Sequence, residues 1–309
     1  MVRLRNWQLF ALCVGVWGTT WHAITYQVGD TPPELGVALR FGAAGALVLA
    51  WCRLRGVRLA FGAREHALFA LQGVFMYSLS YLCVYHAERH VASGLVAVGY
   101  SASPLINGVA AHWLWGVPLT RRFLAGGVIG IAGVALIFGP ELARAEAGAA
   151  TALGAGFTAA SVLLSSVGSL TASRNGARGL PLWPALGFGM LYSAASSALA
   201  LALAISLTPG LGAAAALPPA TPSWWLALLY LAVAGSVLAF GAWLTLQERV
   251  GPGPSSAVGV AAPVLAIAVS VAFEGYRPNV LTGLGVLLAV LGNVWMLSPA
   301  ARAVARRAA

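Results

Sequence analysis

The sequence predicts an all-α membrane protein with ten transmembrane helices, arranged as two inverted five-helix repeats. Three observations lead to this prediction. Of the 309 residues, 60% are hydrophobic and only 8% are charged, whereas about 25% of a soluble domain is charged. Ten apolar runs are long enough, or nearly long enough, to cross a bilayer. Prolines and glycines of the first half also recur in the second half at one fixed spacing.

The fixed spacing is 159 residues and indicates an internal duplication, the feature to look for before any local assignment. The pairs that share it are Pro104 and Pro263, Pro140 and Pro299, Gly116 and Gly275, Gly126 and Gly285, and Gly133 and Gly292. We therefore predict a first five-helix repeat at 1–145, a second, inverted repeat at 146–300, and a basic cytoplasmic tail at 301–309.

A membrane-spanning helix needs about 20 apolar residues. The first run follows Arg3 and Arg5 and continues to Tyr26 without a small-residue cleavage site, so it predicts a retained helix, not a signal peptide. Later runs end at arginine clusters or at glycine–proline pairs such as Gly139–Pro140. In order, the predicted spans are 7–26, 34–52, 66–87, 91–115, 120–139, 148–170, 182–206, 224–246, 254–273 and 279–298.

Arginine placement predicts the orientation, because cytoplasmic loops are enriched in basic residues. All 18 basic residues are arginines; fourteen fall at one set of span ends, three at the other, and Arg40 lies inside a span. Both termini are therefore predicted to be cytoplasmic. Because each repeat has five spans, the second copy is inverted, an arrangement that places a binding site near the midplane between the halves. The cations punctuate apolar runs, which argues for a lipid bilayer and against nucleic acid as a partner.

The first span contains the motif Trp17-Gly18-Thr19-Thr20-Trp21, and glycines recur through the closing span of each repeat. With five-plus-five spans and paired helix prolines, this pattern resembles the drug/metabolite transporter superfamily, EamA type. Within it the chain is most similar to bacterial exporters of aromatic amino acids, the YddG-like kind. Many members end the fourth span with a glutamate; here Gly116 and Val117 lie nearest, and only the second half has such a residue, Glu274.

The resemblance implies a secondary transporter of the bacterial inner membrane, without enzymatic activity or cofactor. Its substrates would be small metabolites, with neutral or aromatic amino acids favoured, exported by alternating access through a central cavity. A carrier of another solute class (nucleotide sugar, drug or lipid-like metabolite) is the alternative, and a membrane-embedded enzyme is a weaker one. A monomer is favoured over a homodimer, because the small-residue face of Gly126, Gly130 and Gly133 suits packing within the chain.

Aromatic side chains recur at helical spacing and predict the wall of a cavity, although helix packing or a membrane-interface belt is the alternative. Such a cavity would suit amphipathic solutes, including ammonium groups through cation–π contact. The predicted substrate-binding residues, which include nearby hydroxyl and amide groups, are Trp17, Thr20, Trp21, Tyr77, Tyr81, Tyr100, Ser101, Ser103, Trp243 and Gln247.

Two prolines within spans predict hinges, because a mid-helix proline frees backbone carbonyls. Pro104, Pro263 and the neighbouring Gly259 are the predicted gating residues; a simple kink is the alternative. Arg40 is a candidate carboxylate anchor, against the alternative of snorkelling or a polar partner on another helix. No metal site is predicted, because in His86-Ala87-Glu88-Arg89-His90 the glutamate adjoins neither histidine.

Overall fold

The computed structural model describes residues 4–29, 31–142, 148–207, 217–219, 221–250, 255 and 258–297. The predicted basic tail at 301–309, Pro299 and several loop charges, including Arg3, Asp30, Arg144 and Glu146, lie outside the described residues. The described residues form helices and no strand. The helices are α1 Asn6–Thr25, α2 Pro33–Leu54, α3 Ala63–Glu88, α4 Ser93–Trp115, α5 Arg121–Leu142, α6 Gly148–Ala177, α7 Leu182–Leu207, α8 Pro222–Val250, α9 Val258–Phe273 and α10 Val280–Leu297.

Seven of these helices, α2 to α8, are long and apolar enough to cross a membrane, judged by length and composition. Helices α9 and α10 are apolar but shorter, and α1 has 20 residues. Each helix overlaps one predicted span. The prediction of an all-α, multi-span membrane protein is therefore confirmed, whereas a count of ten crossings stays a prediction.

Two local distortions recur at the spacing seen in the sequence. Helices α3 and α8 each contain a π-helical stretch, at Val74–Leu79 and Leu231–Leu238, and the last residues of the two stretches are 159 apart (238 − 79 = 159). Gly116 after α4 and Gly275 after α9 both have left-handed backbones, with φ of 69° and 68°. Only glycine adopts such angles without steric cost, so the repeated glycines mark equivalent helix ends.

Helices α5 and α10 pack through their glycines. A Cβ atom on Gly126 would lie 2.6 Å from the Gly292 carbonyl oxygen, and one on Gly133 would lie 2.5 Å from that of Gly285. These contacts leave no room for side chains. The earlier glycine of α5 meets the later glycine of α10, so the two helices are antiparallel. The small-residue face of α5 is thus occupied within the chain. We call this contact the glycine seam (Gly126, Gly133, Gly285 and Gly292).

The other main helix contacts also join helices of the first half to helices of the second half. Helix α1 packs against α9 and α4 against α6, so the first helix of each half meets the fourth of the other. Likewise α2 contacts α8, α3 contacts α7, and α2 packs along α7. Together with the antiparallel packing of α5 and α10, these contacts are consistent with the predicted pair of inverted repeats.

The two prolines that are predicted to be hinges occupy different backbone environments. Tyr100–Ala102 form a single 3₁₀ turn within α4, and Pro104 lies in the first turn of the α-helix that resumes after it. There the missing N–H of proline costs no helical hydrogen bond. Pro263 lies inside the α-helix of α9, where proline removes such a bond. The duplicated prolines therefore perturb their helices to different degrees.

Candidate functional site

A cavity lies between the two halves, in the middle of the helix bundle. It encloses about 990 Å³ of atom-free space, counting the part that is open to solvent. Its wall is formed by α1, α3, α4 and α6 together with α8 and α9. The predicted substrate-binding and gating residues come from spans 1, 3, 4, 8 and 9 or their ends, so α6 is an addition. We call this space the central cavity.

Aromatic rings form much of the wall. The ring centroid of Trp17 lies 5.0 Å from that of Phe240 and 5.9 Å from that of Trp243. On the other side, Trp21 lies 5.2 Å from Tyr100. Centroid separations of 4.5–7 Å are typical of favourable aromatic pairs. The rings therefore support each other and leave apolar faces and edges toward the cavity.

Polar atoms without partners also line the central cavity. The hydroxyls of Ser103 and Ser166 and the amide oxygen of Asn107 are buried and have no hydrogen-bond partner among the described residues. A buried unsatisfied polar group costs about 1–3 kcal/mol. The cavity thus combines an apolar surface with a few hydrogen-bonding groups, which is the usual character of a small-molecule site.

The structure brings most of the predicted site residues to this wall. The predicted residues on it are Trp17, Thr20, Trp21, Tyr81, Tyr100, Ser103, Trp243, Pro104, Pro263 and Gly259. Four predicted residues, Tyr77, Ser101, Gln247 and Arg40, do not line the cavity. They lie behind its wall or, for Gln247, in a second cavity.

Tyr77 and Arg40 form a layer behind the aromatic wall. Tyr77 is fully buried and packs 5.4 Å from Phe41 and 5.0 Å from Phe240, measured between ring centroids. The Arg40 guanidinium carbon lies 4.5 Å from the Tyr81 ring centroid, within cation–π range. Its Nε donates to Ser236 at 3.0 Å. The four-residue spacing of Tyr77 and Tyr81 places both rings on one face of α3. It does not show that Tyr77 is fully buried whereas Tyr81 lines the cavity.

Ser101 is buried outside the cavity wall, and its backbone carbonyl accepts a hydrogen bond from the Asn293 side chain at 3.1 Å. In its place the structure adds polar cavity residues that sequence reasoning missed: Asn107, Ser165, Ser166 and Ser169. The sequence contains a signal for the three serines, because they lie within about one turn of each other in the otherwise apolar sixth span. Asn107, one turn after Pro104, was another.

A polar network ties the two halves together at the end of the bundle that has few arginines. Glu274, just after α9, accepts hydrogen bonds from the hydroxyl and backbone N–H of Ser93, the first residue of α4. His22 Nδ1 of α1 lies 2.9 Å from the same carboxylate. Ser270 accepts from the Gly94 N–H at 2.9 Å. We call these residues (His22, Ser93, Ser270 and Glu274) the outer network.

The environment of Glu274 favours its charged form. Burial raises the pKa of Glu274, but hydrogen bonds from Ser93, His22 and Ser270 outweigh that effect, so its pKa lies below the ordinary value. A carboxylate at the N-terminus of α4 also faces the positive end of the helix dipole. The carboxylate is therefore ionised at neutral pH and holds the halves together.

The two histidines that flank Glu88 have a packing role. His86 and His90 stack on Phe157, with ring planes within 20° and 4° of parallel. Within the described ranges, no group of three or more His, Cys, Asp or Glu side chains is arranged to hold a metal ion.

Comparison with known proteins identifies the class of protein to which the chain belongs. The model of the EamA-like transporter family matches residues 5–139 and again residues 147–298. The chain belongs to this family and is a transporter.

Individual relatives agree. The chain is 30% identical over 271 residues, 86% of its length and 82% of the relative, to YedA, an uncharacterized inner membrane transporter of Escherichia coli K12. It is 29% identical over 99 residues to the protein PagO of Salmonella typhimurium, which covers 31% of this chain and 32% of PagO. A protein of known crystal structure has a TM-score of 0.69 and 25% identity, covering 96% of this chain and 97% of its own.

Proposed function

We propose that the protein is a secondary transporter that exports small amphipathic metabolites, with neutral and aromatic amino acids as the favoured substrates. The observation that carries the proposal is the central cavity. It lies between the two halves, and its aromatic wall carries buried hydroxyl and amide groups without partners in the described part of the chain. A substrate with an apolar side chain and hydrogen-bonding ends matches both properties.

Alternating access would proceed by movement of one half against the other. Inverted repeats typically expose a fixed midplane site to each side in turn by such rocking. In this proposal the outer network acts as the closure at one end, because its hydrogen bonds join α1 and α4 to the end of α9. Breaking them would separate these helices. Pro104 and Pro263 lie on the cavity wall within the two helices that the movement would bend.

The proposed location is the bacterial inner membrane, with both termini on the cytoplasmic side. Two lines of support are independent of each other. The relative YedA is named an inner membrane transporter. Fourteen arginines lie at one set of span ends and three at the other, a bias that favours the cytoplasm for the richer end.

The experiment is transport of labelled metabolites into proteoliposomes that contain the purified protein. We expect uptake of aromatic and neutral amino acids. Replacing Trp17, Tyr81 or Trp243 with alanine should reduce transport at least tenfold, because each change removes part of the aromatic wall. Trp113→Ala is the matched control, since Trp113 is 82% exposed on α4 and does not line the cavity.

The outcomes separate the parts of the proposal. Transport of sugars, nucleotides or lipid-like compounds without amino acids would replace the substrate class and retain the carrier. Normal transport by all three alanine variants would refute the central cavity as the substrate site.

A further inference from the structure

A second cavity lies at the arginine-rich end of the bundle, where α3, α6, α7 and α8 converge. It encloses about 750 Å³ of atom-free space, counting its open part. Gln247 and Glu248 of α8 line it, together with Asn175 of α6 and Gln72 of α3. The predicted site residue Gln247 therefore belongs to this space.

The second cavity is stacked directly under the central one. Three helices contribute a residue to each cavity, and the two residues are four positions apart, about 6 Å along the helix axis. The pairs, with the central-cavity residue first, are Met76 and Gln72 on α3, Ser169 and Ser173 on α6, and Trp243 and Gln247 on α8. A solute that approaches from the arginine-rich end would meet the second cavity on its way to the central one.

The amide groups of this cavity leave oxygen atoms unpaired. Asn175 Nδ2 donates to Gln72 Oε1 at 2.9 Å, and Gln247 Nε2 donates to Ser173 Oγ at 3.1 Å. Asn175 Oδ1 and Gln247 Oε1 are buried and have no partner in the described part of the chain. Asn175 is 2% exposed. These two oxygens can accept hydrogen bonds, so they favour a ligand that donates them.

The charge at the site also favours a cationic ligand that donates hydrogen bonds. Glu248 adds a carboxylate to the lining. The adjacent Arg249 points elsewhere, since its Nη1 donates to the Leu4 carbonyl at 2.8 Å. Arg174 is exposed and does not contribute to the wall. The lining therefore offers acceptors and one negative charge, although arginines surround it.

We propose that the second cavity binds the ammonium group of a small primary amine, as the first of two stations on the path to the central cavity. An ammonium group has three N–H donors and no acceptor, which matches two amide oxygens and a carboxylate. Leu180, Leu182 and Leu244 provide an apolar surface for the rest of the molecule. The order of occupation rests on the proposed transport function; the binding site itself does not.

The test is calorimetric titration of the purified protein with phenethylammonium, which carries an ammonium group and an apolar ring. We expect two bound molecules per chain. Gln247→Leu combined with Glu248→Gln should remove one of them or weaken it at least tenfold. The similarly sized anion phenylacetate should not occupy the second cavity. Glu65→Gln is the control, because Glu65 is an acidic residue near the same end that lines neither cavity.

A variant that should bind the amine more tightly distinguishes a specific effect on binding from loss of binding through misfolding. Gln247→Glu adds a second carboxylate that Ser173 can still hydrogen-bond, and it should tighten ammonium binding about tenfold. Equal binding by wild type, the double variant and Gln247→Glu would overturn the proposal, as would phenylacetate binding that the double variant abolishes. Two-site amine binding without transport of any metabolite would refute the proposed function and uphold the site.

Discussion

The glycine seam and the ends of helices α4 and α9 differ in how far equivalent positions of the two halves carry the same residue. In the seam both copies kept their glycines, and the contacts are reciprocal: Gly126 meets Gly292 and Gly133 meets Gly285. At the helix ends the copies differ. Position 115 holds Trp115, whereas its equivalent (115 + 159) is Glu274. Trp115 is 42% exposed, and Glu274 holds the outer network together.

The difference follows from what each region has to do. Close backbone packing between α5 and α10 tolerates only glycine, whichever half supplies it. At the arginine-poor end Glu274 joins α1 and α4 to the end of α9, whereas the arginine-rich end contains the second cavity. In the proposed transport cycle the two ends of the path are therefore unequal. We expect substitutions in the seam to affect folding, and substitutions at the ends to affect the balance between open and closed states.

The largest effect is expected in the seam. Gly133→Val would drive side-chain atoms into the Gly285 carbonyl oxygen and the Ala289 backbone nitrogen, each of which lies 2.5 Å from the place that a Cβ atom would take. Overpacking costs about 1–3 kcal/mol, occasionally more, and here the obstacle is backbone. We expect loss of monodisperse protein in detergent and a large fall in melting temperature. Gly283→Val, with no atom within 4 Å of its Cβ position, should behave as wild type. Equal stability of the two variants would refute the close contact.

An intermediate effect is expected at the arginine-poor end. Glu274→Gln removes the charge that Ser93 and His22 hydrogen-bond, and a hydrogen bond to a charged group contributes about 1.5–3 kcal/mol. The open state should become about ten- to a hundredfold more populated. In a background without Cys13, Cys52 and Cys83, a cysteine at Ser103 should react faster with a reagent added at this end. Glu34→Gln, at the same end and outside the network, should leave the rate unchanged. An unaltered rate in Glu274→Gln would contradict the closing role.

The smallest effect is expected at Gly116 and Gly275, the left-handed glycines that follow α4 and α9. Gly116→Ala and Gly275→Ala each place a side chain on a left-handed backbone, at a cost of about 1–2 kcal/mol. Because the two φ angles are 69° and 68°, we expect equal losses of stability in thermal unfolding. Gly176→Ala is the control, with no atom near its Cβ position and no positive φ. A clearly larger loss at one of the two ends would show that the equivalence does not extend to energetics.

The sequence by itself determined the class of fold and indicated the duplication. Hydrophobic runs of about 20 residues have few alternatives to membrane helices, and glycines and prolines at a spacing of 159 residues mark equivalent backbone positions. Aromatic residues at helical spacing also indicated the helix faces on which Trp17, Tyr81 and Trp243 lie, and a substrate site there stays a prediction. These properties are local or periodic, so they can be read along the chain.

The tertiary structure decided how deep each side chain lies and which partner it finds. Tyr77 and Tyr81 are one turn apart on the same face, yet one is fully buried and the other lines the central cavity. Gln247 lies one turn from Trp243 and lines a different cavity. Glu274 meets Ser93 across 181 residues. Depth and long-range pairing depend on how helices from the two halves cross, and no spacing within one helix contains that information.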